Sequence, residues 1–72
     1  MKERTATGLF ELRDAEGRAV NEGAEIKDFR GELRLVTGGI APAGSWTTGR
    51  IELDGCLFYP GVANCAWHRI GY

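Results

Sequence analysis

Apolar and polar residues alternate with a period of two along much of this chain, the spacing of strands that bury one face. In Leu9-Phe10-Glu11-Leu12-Arg13, Phe10 and Leu12 share a face. Asp14-Ala15-Glu16-Gly17 supplies a turn whose glycine takes positive φ without steric cost, and predicts a hairpin return through Arg18-Ala19-Val20. Asn21-Glu22-Gly23 marks another turn, and Ala24–Lys27 a short strand broken by Phe29-Arg30-Gly31. In Glu32-Leu33-Arg34-Leu35-Val36 the alternation predicts Leu33 and Leu35 inward, with Glu32 and Arg34 outward. Thr37–Gly49 (TGGIAPAGSWTTG) is the longest stretch without a strand pattern. Arg50-Ile51-Glu52-Leu53-Asp54 is the cleanest strand, and Asp54-Gly55 reads as a two-residue hairpin turn feeding Cys56–Tyr59. Pro60-Gly61 ends that run, Val62-Ala63-Asn64 predicts a single helical or 3₁₀ turn, and Cys65–Ile70 closes the chain.

No window carries a clear helical period, because glycine interrupts nearly all of them; 11 of the 72 residues are Gly, about twice the usual share of roughly 7%. The expected fold is therefore all-β: one domain over residues 1–72, a small SH3-like barrel or rolled antiparallel sheet of about five to six short strands. An SH3-like barrel joins its strands by a long loop, a tight hairpin and a 3₁₀ turn, in the order found here. With 43% apolar and 26% charged residues the composition is globular. Residues 1–36 hold fifteen of the nineteen charged side chains and residues 37–72 five of the seven aromatics. The second half is thus expected to supply the larger share of the core.

A net charge of -1 argues against affinity built on general attraction to nucleic acid or anionic lipid. Met1–Phe10 lacks the apolar segment of a secretory signal, and no run is long enough for a membrane helix. The expected location is cytoplasmic, with Cys56 and Cys65 as small buried hydrophobes; in an oxidising environment a turn between them could bring them close enough to bridge. His68 is the only histidine and lies three residues from Cys65, so on a strand the two point to opposite faces and form no nucleophile–base pair. Cys56, Cys65 and His68 lack the closely paired spacing of a structural zinc site, and no glycine pattern matches a phosphate-binding loop. No catalytic residue, metal or cofactor is expected. Lys27, Arg30, Arg34 and Arg50 could gather beside Trp46, but Glu25, Asp28, Glu32 and Glu52 are interleaved with them. A protein partner is accordingly favoured over nucleic acid.

The loop after Thr37 carries the most functional information. Loops on rigid scaffolds commonly hold binding residues, and Trp is enriched at interface hot spots. Either Ile40 and Trp46 fold back to cap one end of the barrel, or they are held out to bind. The candidate binding residues are Ile40, Trp46, Arg50 and Tyr59, and an exposed edge strand offers self-association or strand addition.

Lys27-Asp28-Phe29-Arg30-Gly31-Glu32, Thr48-Gly49-Arg50-Ile51 and Phe58-Tyr59-Pro60-Gly61-Val62 together resemble a family of small proteins encoded by bacteriophages and prophages. The resemblance spans residues 23–67 and departs at Ala63, where the family usually has Phe. It implies a compact β fold and a phage accessory role, and assigns no ligand. The end of the chain, Phe58-Tyr59-Pro60 with Val62-Ala63 and Arg69-Ile70, is also similar to the plasmid-borne, trimethoprim-insensitive dihydrofolate reductases. Those are SH3-like barrels assembled into tetramers around a shared pore; Leu57 stands here where they carry a ligand-contacting glutamine. The expected function is a non-enzymatic module that engages a host or phage protein, with a nucleic-acid-binding barrel and a pore-type reductase as the alternatives.

Overall fold

A computed structural model describes residues 1–72. Its strands are β1 (Lys2–Thr5), β2 (Gly8–Arg13), β3 (Glu25–Lys27), β4 (Leu33–Ile40), β5 (Arg50–Leu53), β6 (Cys56–Phe58) and β7 (Ala66–Gly71), with a 3₁₀ turn at Pro60–Ala63 before β7. They form two antiparallel sheets, ordered β1-β2-β7 and β3-β4-β5-β6. The all-β expectation holds, and the connections fall in the expected order: loop, tight hairpin, 3₁₀ turn. Asp54 and Gly55 both take positive φ (50° and 83°), as a two-residue hairpin requires.

One apolar cluster joins the sheets. Leu12 of β2 meets Val36, Ile51 and Leu53 of the second sheet, with Val20, Ala63 and Cys65 completing the cluster. Leu12, Val36, Ile51 and Leu53 are fully buried; each such side chain stabilises the fold by about 1.5–3 kcal/mol. As expected, the second half supplies the slightly larger share of the buried apolar residues (Ala41, Ile51, Leu53, Ala63 and Cys65, against Phe10, Leu12, Val20 and Val36), but none of these five is aromatic. Trp46, Tyr59 and Tyr72 of the second half are exposed instead.

Four local expectations are corrected. β1 pairs with β2 although its sequence, Lys-Glu-Arg-Thr, has no apolar alternation. A charged edge strand needs only backbone pairing and resists adding further strands. β4 continues to Ile40, through residues read as loop, because backbone ladders accept Gly38 and Gly39 without side-chain patterning. The faces of β4 are also reversed: Leu33 and Leu35 point outward, while Val36 is fully buried and Arg34 lies beside Ile26 on the core side. A shift of one residue swaps every side chain on a strand. Arg34 tolerates the inner side because Asp28 (3.4 Å) and Asp54 (2.7 Å) pair with it there. Finally, Cys56 is exposed and Cys65 buried, both as free thiols.

Two turns share one construction. Asp14 and Asp28 each cap a five-residue loop closed by a glycine at positive φ, Gly17 (83°) and Gly31 (82°). In each, one aspartate oxygen accepts hydrogen bonds from the amides two and four residues on. The second turn, Asp28–Glu32, docks on the 3₁₀ turn, where the Phe29 amide donates to the Val62 carbonyl at 2.8 Å.

Candidate binding face

The register of the second sheet builds the site. Ile40 of β4 pairs with Arg50 of β5, and Ile51 pairs with Phe58 of β6. Continuing that ladder by one residue sets Tyr59 beside Arg50. Because Ile51 and Leu53 point into the core, alternation puts Ile40, Arg50 and Tyr59 in one row across the outer face of the sheet.

Residues 41–49 bring Trp46 to that row. Ala41 is fully buried, and its amide donates to Glu3 Oε1 at 3.1 Å. At the tip, the Trp46 amide donates to the Ala43 carbonyl at 2.9 Å, across Gly44 at φ 55°. The far end turns on Gly49, whose φ of 68° favours glycine. A Cβ there would fall 2.5 Å from the Ile40 carbonyl oxygen and 2.6 Å from Trp67 Cδ1. Trp67 can approach so closely that its indole Nε1 donates to the Arg50 carbonyl at 3.0 Å. The base of Arg50 is thereby fixed from β7.

The Arg50 guanidinium lies over two aromatic rings, 4.5 Å from the centroid of Trp46 and 4.3 Å from that of Tyr59. Both distances fall within the range of cation–π attraction, about 6 Å. Its only side-chain hydrogen bond runs from Nη1 to the Gly49 carbonyl at 2.7 Å, and it forms no ion pair, unlike Arg13, Arg18, Arg30 and Arg34. Trp46 is 38% and Tyr59 64% exposed. Trp46 therefore packs on Arg50 and takes no part in the core. The structure brings Trp46, Arg50 and Tyr59 into contact and sets Ile40 next in the row.

Beside Tyr59 opens a groove of about 340 Å³, lined among others by Pro42, Thr48, Tyr59, Pro60, Gly61 and Trp67. Trp67, Pro42 and Pro60 were not singled out from the sequence. Pro60 carried a signal as a strand terminator, but nothing local shows that Trp67 crosses to the base of Arg50. Cys65 also borders this groove. Its sulfur donates to the Ala63 carbonyl at 3.2 Å, and burial, with a smaller effect from Asp14, pushes its pKa up to about 11. It is thus a protonated thiol at neutral pH. His68 is exposed on β7, opposite Glu11 in the ladder. No three His, Cys, Asp or Glu side chains converge as metal ligands, and no helix is long and apolar enough to cross a membrane.

The segments Thr48–Ile51 and Phe58–Val62 meet at this face. Comparison with protein-family models, curated proteins and solved structures finds no match.

Proposed function

We propose that this chain is a non-enzymatic binding module of the cytoplasm, an accessory product of a phage or other mobile element that engages a protein through Trp46, Arg50 and Tyr59. The observation that carries this reading is a cation stacked over two exposed rings and left without a carboxylate. Trp, Tyr and Arg are the residue types that most often dominate protein interfaces. Stacking holds all three side chains in place before binding, which reduces the rotamer entropy lost on association. The adjoining groove adds an apolar seat whose volume is at the low end for small-ligand sites, about 300–1,000 Å³.

The test is selection of peptides from a random library on the immobilised full chain, followed by affinity measurement on single variants. A convergent peptide motif is expected. Trp46→Ala, Arg50→Gln and Tyr59→Ala should each weaken binding by about tenfold or more, equivalent to about 1.4 kcal/mol, with circular dichroism unchanged. Selected peptides that bind all three variants like the parent chain would overturn the assignment. Binding to oligonucleotides that falls steeply with salt would replace protein by nucleic acid as the partner.

A further inference from the structure

We infer that two copies of this chain pair through the outer face of the four-stranded sheet, about a two-fold axis lying in the interface and perpendicular to the strands. The leucines that break the expected alternation are the starting point. Leu33 is 63% and Leu35 43% exposed, and Phe29, in the adjoining turn, 66%. The β3–β4 ladder sets Lys27 beside Leu33 and Glu25 beside Leu35. The outer face thus carries two rows, one of Lys27 and Leu33, the next of Glu25 and Leu35. Neither Lys27 nor Glu25 forms an ion pair within the chain.

Charge complementarity selects the second copy as the occupant and also selects the axis. Rotation by half a turn about an in-plane axis running between the two rows exchanges the rows and keeps each strand over its own counterpart. Lys27 then faces Glu25 of the other copy, Glu25 faces Lys27, and Leu33 faces Leu35. An axis parallel to the strands would instead set Lys27 over Leu33 and Glu25 over Leu35, burying both charges against hydrocarbon. Packed sheets lie about 10 Å apart, a gap that leucines fill and that Lys and Glu can span from opposite sides. The same rotation brings Phe29 of each copy toward the row of Gly38, Glu52 and Leu57, in which the Glu52 side chain lies over Gly38 and Leu57 offers the apolar contact. Leu57 is itself 45% exposed. An isologous contact of this kind closes at two copies. The row of Ile40, Arg50 and Tyr59 stays beyond its edge, so the dimer would present two binding faces.

The experiment is sedimentation velocity on the full chain from about 10 µM to about 1 mM, a range covering Kd values of weak dimers. A mass rising from one chain toward two is expected. Leu33→Asp should raise the dimer Kd by about 100-fold, and Lys27→Glu or Glu25→Lys by about tenfold each through like-charge opposition. The double reversal, Lys27→Glu with Glu25→Lys, should restore the parent Kd to within about threefold. All of these side chains are exposed, and circular dichroism checks that each variant folds. A monomer throughout the range, a larger assembly, or a double reversal that stays monomeric overturns the inference. Peptide binding by the Trp46 face reads out separately, so either result leaves the other standing.

Discussion

The turn at Asp14–Arg18 and the turn at Asp28–Glu32 close in the same way. The first aspartate's amide donates to the carbonyl four residues on, at 2.9 Å in both, and the glycine amide returns to the aspartate carbonyl at 3.0 and 2.9 Å. Aspartate Oδ1 accepts two amides, at 2.9 and 3.0 Å in the first turn and 2.8 and 3.0 Å in the second. Their surroundings differ. The Asp14 side chain is 24% exposed and its second oxygen meets only Arg18, itself largely in solvent, at 3.5 Å. The Asp28 side chain is fully buried, and its second oxygen meets Arg34 at 3.4 Å and Arg30 at 3.7 Å. Arg34 then reaches Asp54 at 2.7 Å, tying the turn to the β5–β6 hairpin. The spacing D-x-x-G-x specifies a backbone path; the worth of its aspartate depends on what covers it.

Replacing each aspartate by alanine should separate these contributions most widely. Asp28→Ala strands two part-buried amides and leaves the half-buried Arg34 short of an acceptor, so a fall in melting temperature of about 10–20 °C is expected, against about 5 °C for Asp14→Ala. Equal losses would mean that the local turn accounts for the whole effect. The glycines supply the control. A Cβ at Gly17 or Gly31 meets nothing within 4 Å, so only the left-handed backbone penalises alanine. Both substitutions should cost the same, about 1–2 kcal/mol, and a difference of more than about twofold would break the claim that the two turns are one device.

Acid titration gives the smallest contrast. In Asp28 burial acts to raise the pKa, but the Glu32 and Arg30 amides and the Arg30 and Arg34 guanidiniums outweigh it and hold the carboxyl below its ordinary value. In Asp14 the Arg18 amide is the main cause of a lowered pKa, helped by the Glu16 amide and the Arg18 charge. A carboxylate whose folded pKa is depressed adds stability above its unfolded pKa, about 3.9, and that stability is lost as pH falls through the folded value. Thermal melts from pH 5 to pH 2 should therefore show declining stability. Asp→Asn, which keeps an oxygen for the turn amides, should flatten the decline at both positions. A decline left unchanged by either substitution would show that the carboxylate at that turn does not contribute to it.

How much could be read in advance follows the same division. The Asp54-Gly55 hairpin, the strand at Arg50–Leu53 and the turn after Tyr59 were legible because glycine, proline and strict alternation act on neighbouring residues. The inner face of β4 was not. Leu33 and Leu35 on one side compete with Val36 on the other, and the pairing of Arg34 with Asp28 in the preceding turn and with Asp54, 20 residues away, makes the second choice stable. At the candidate site, the residue types of Ile40, Trp46, Arg50 and Tyr59 were conspicuous singly. Their convergence depends on the β4–β5–β6 register and on a Trp67 indole arriving from another sheet.

From the chain alone came the all-β class, the order of its connections and most of its turns, since φ preferences and period-two patterning operate over a few residues. Three-dimensional packing alone decided which face of β4 is inside, that Asp28 is buried while Asp14 is not, and that a cation rests over two rings. Alternation is symmetric between the two faces of a strand, and contacts between residues far apart in the chain exist only once the sheets have closed on each other.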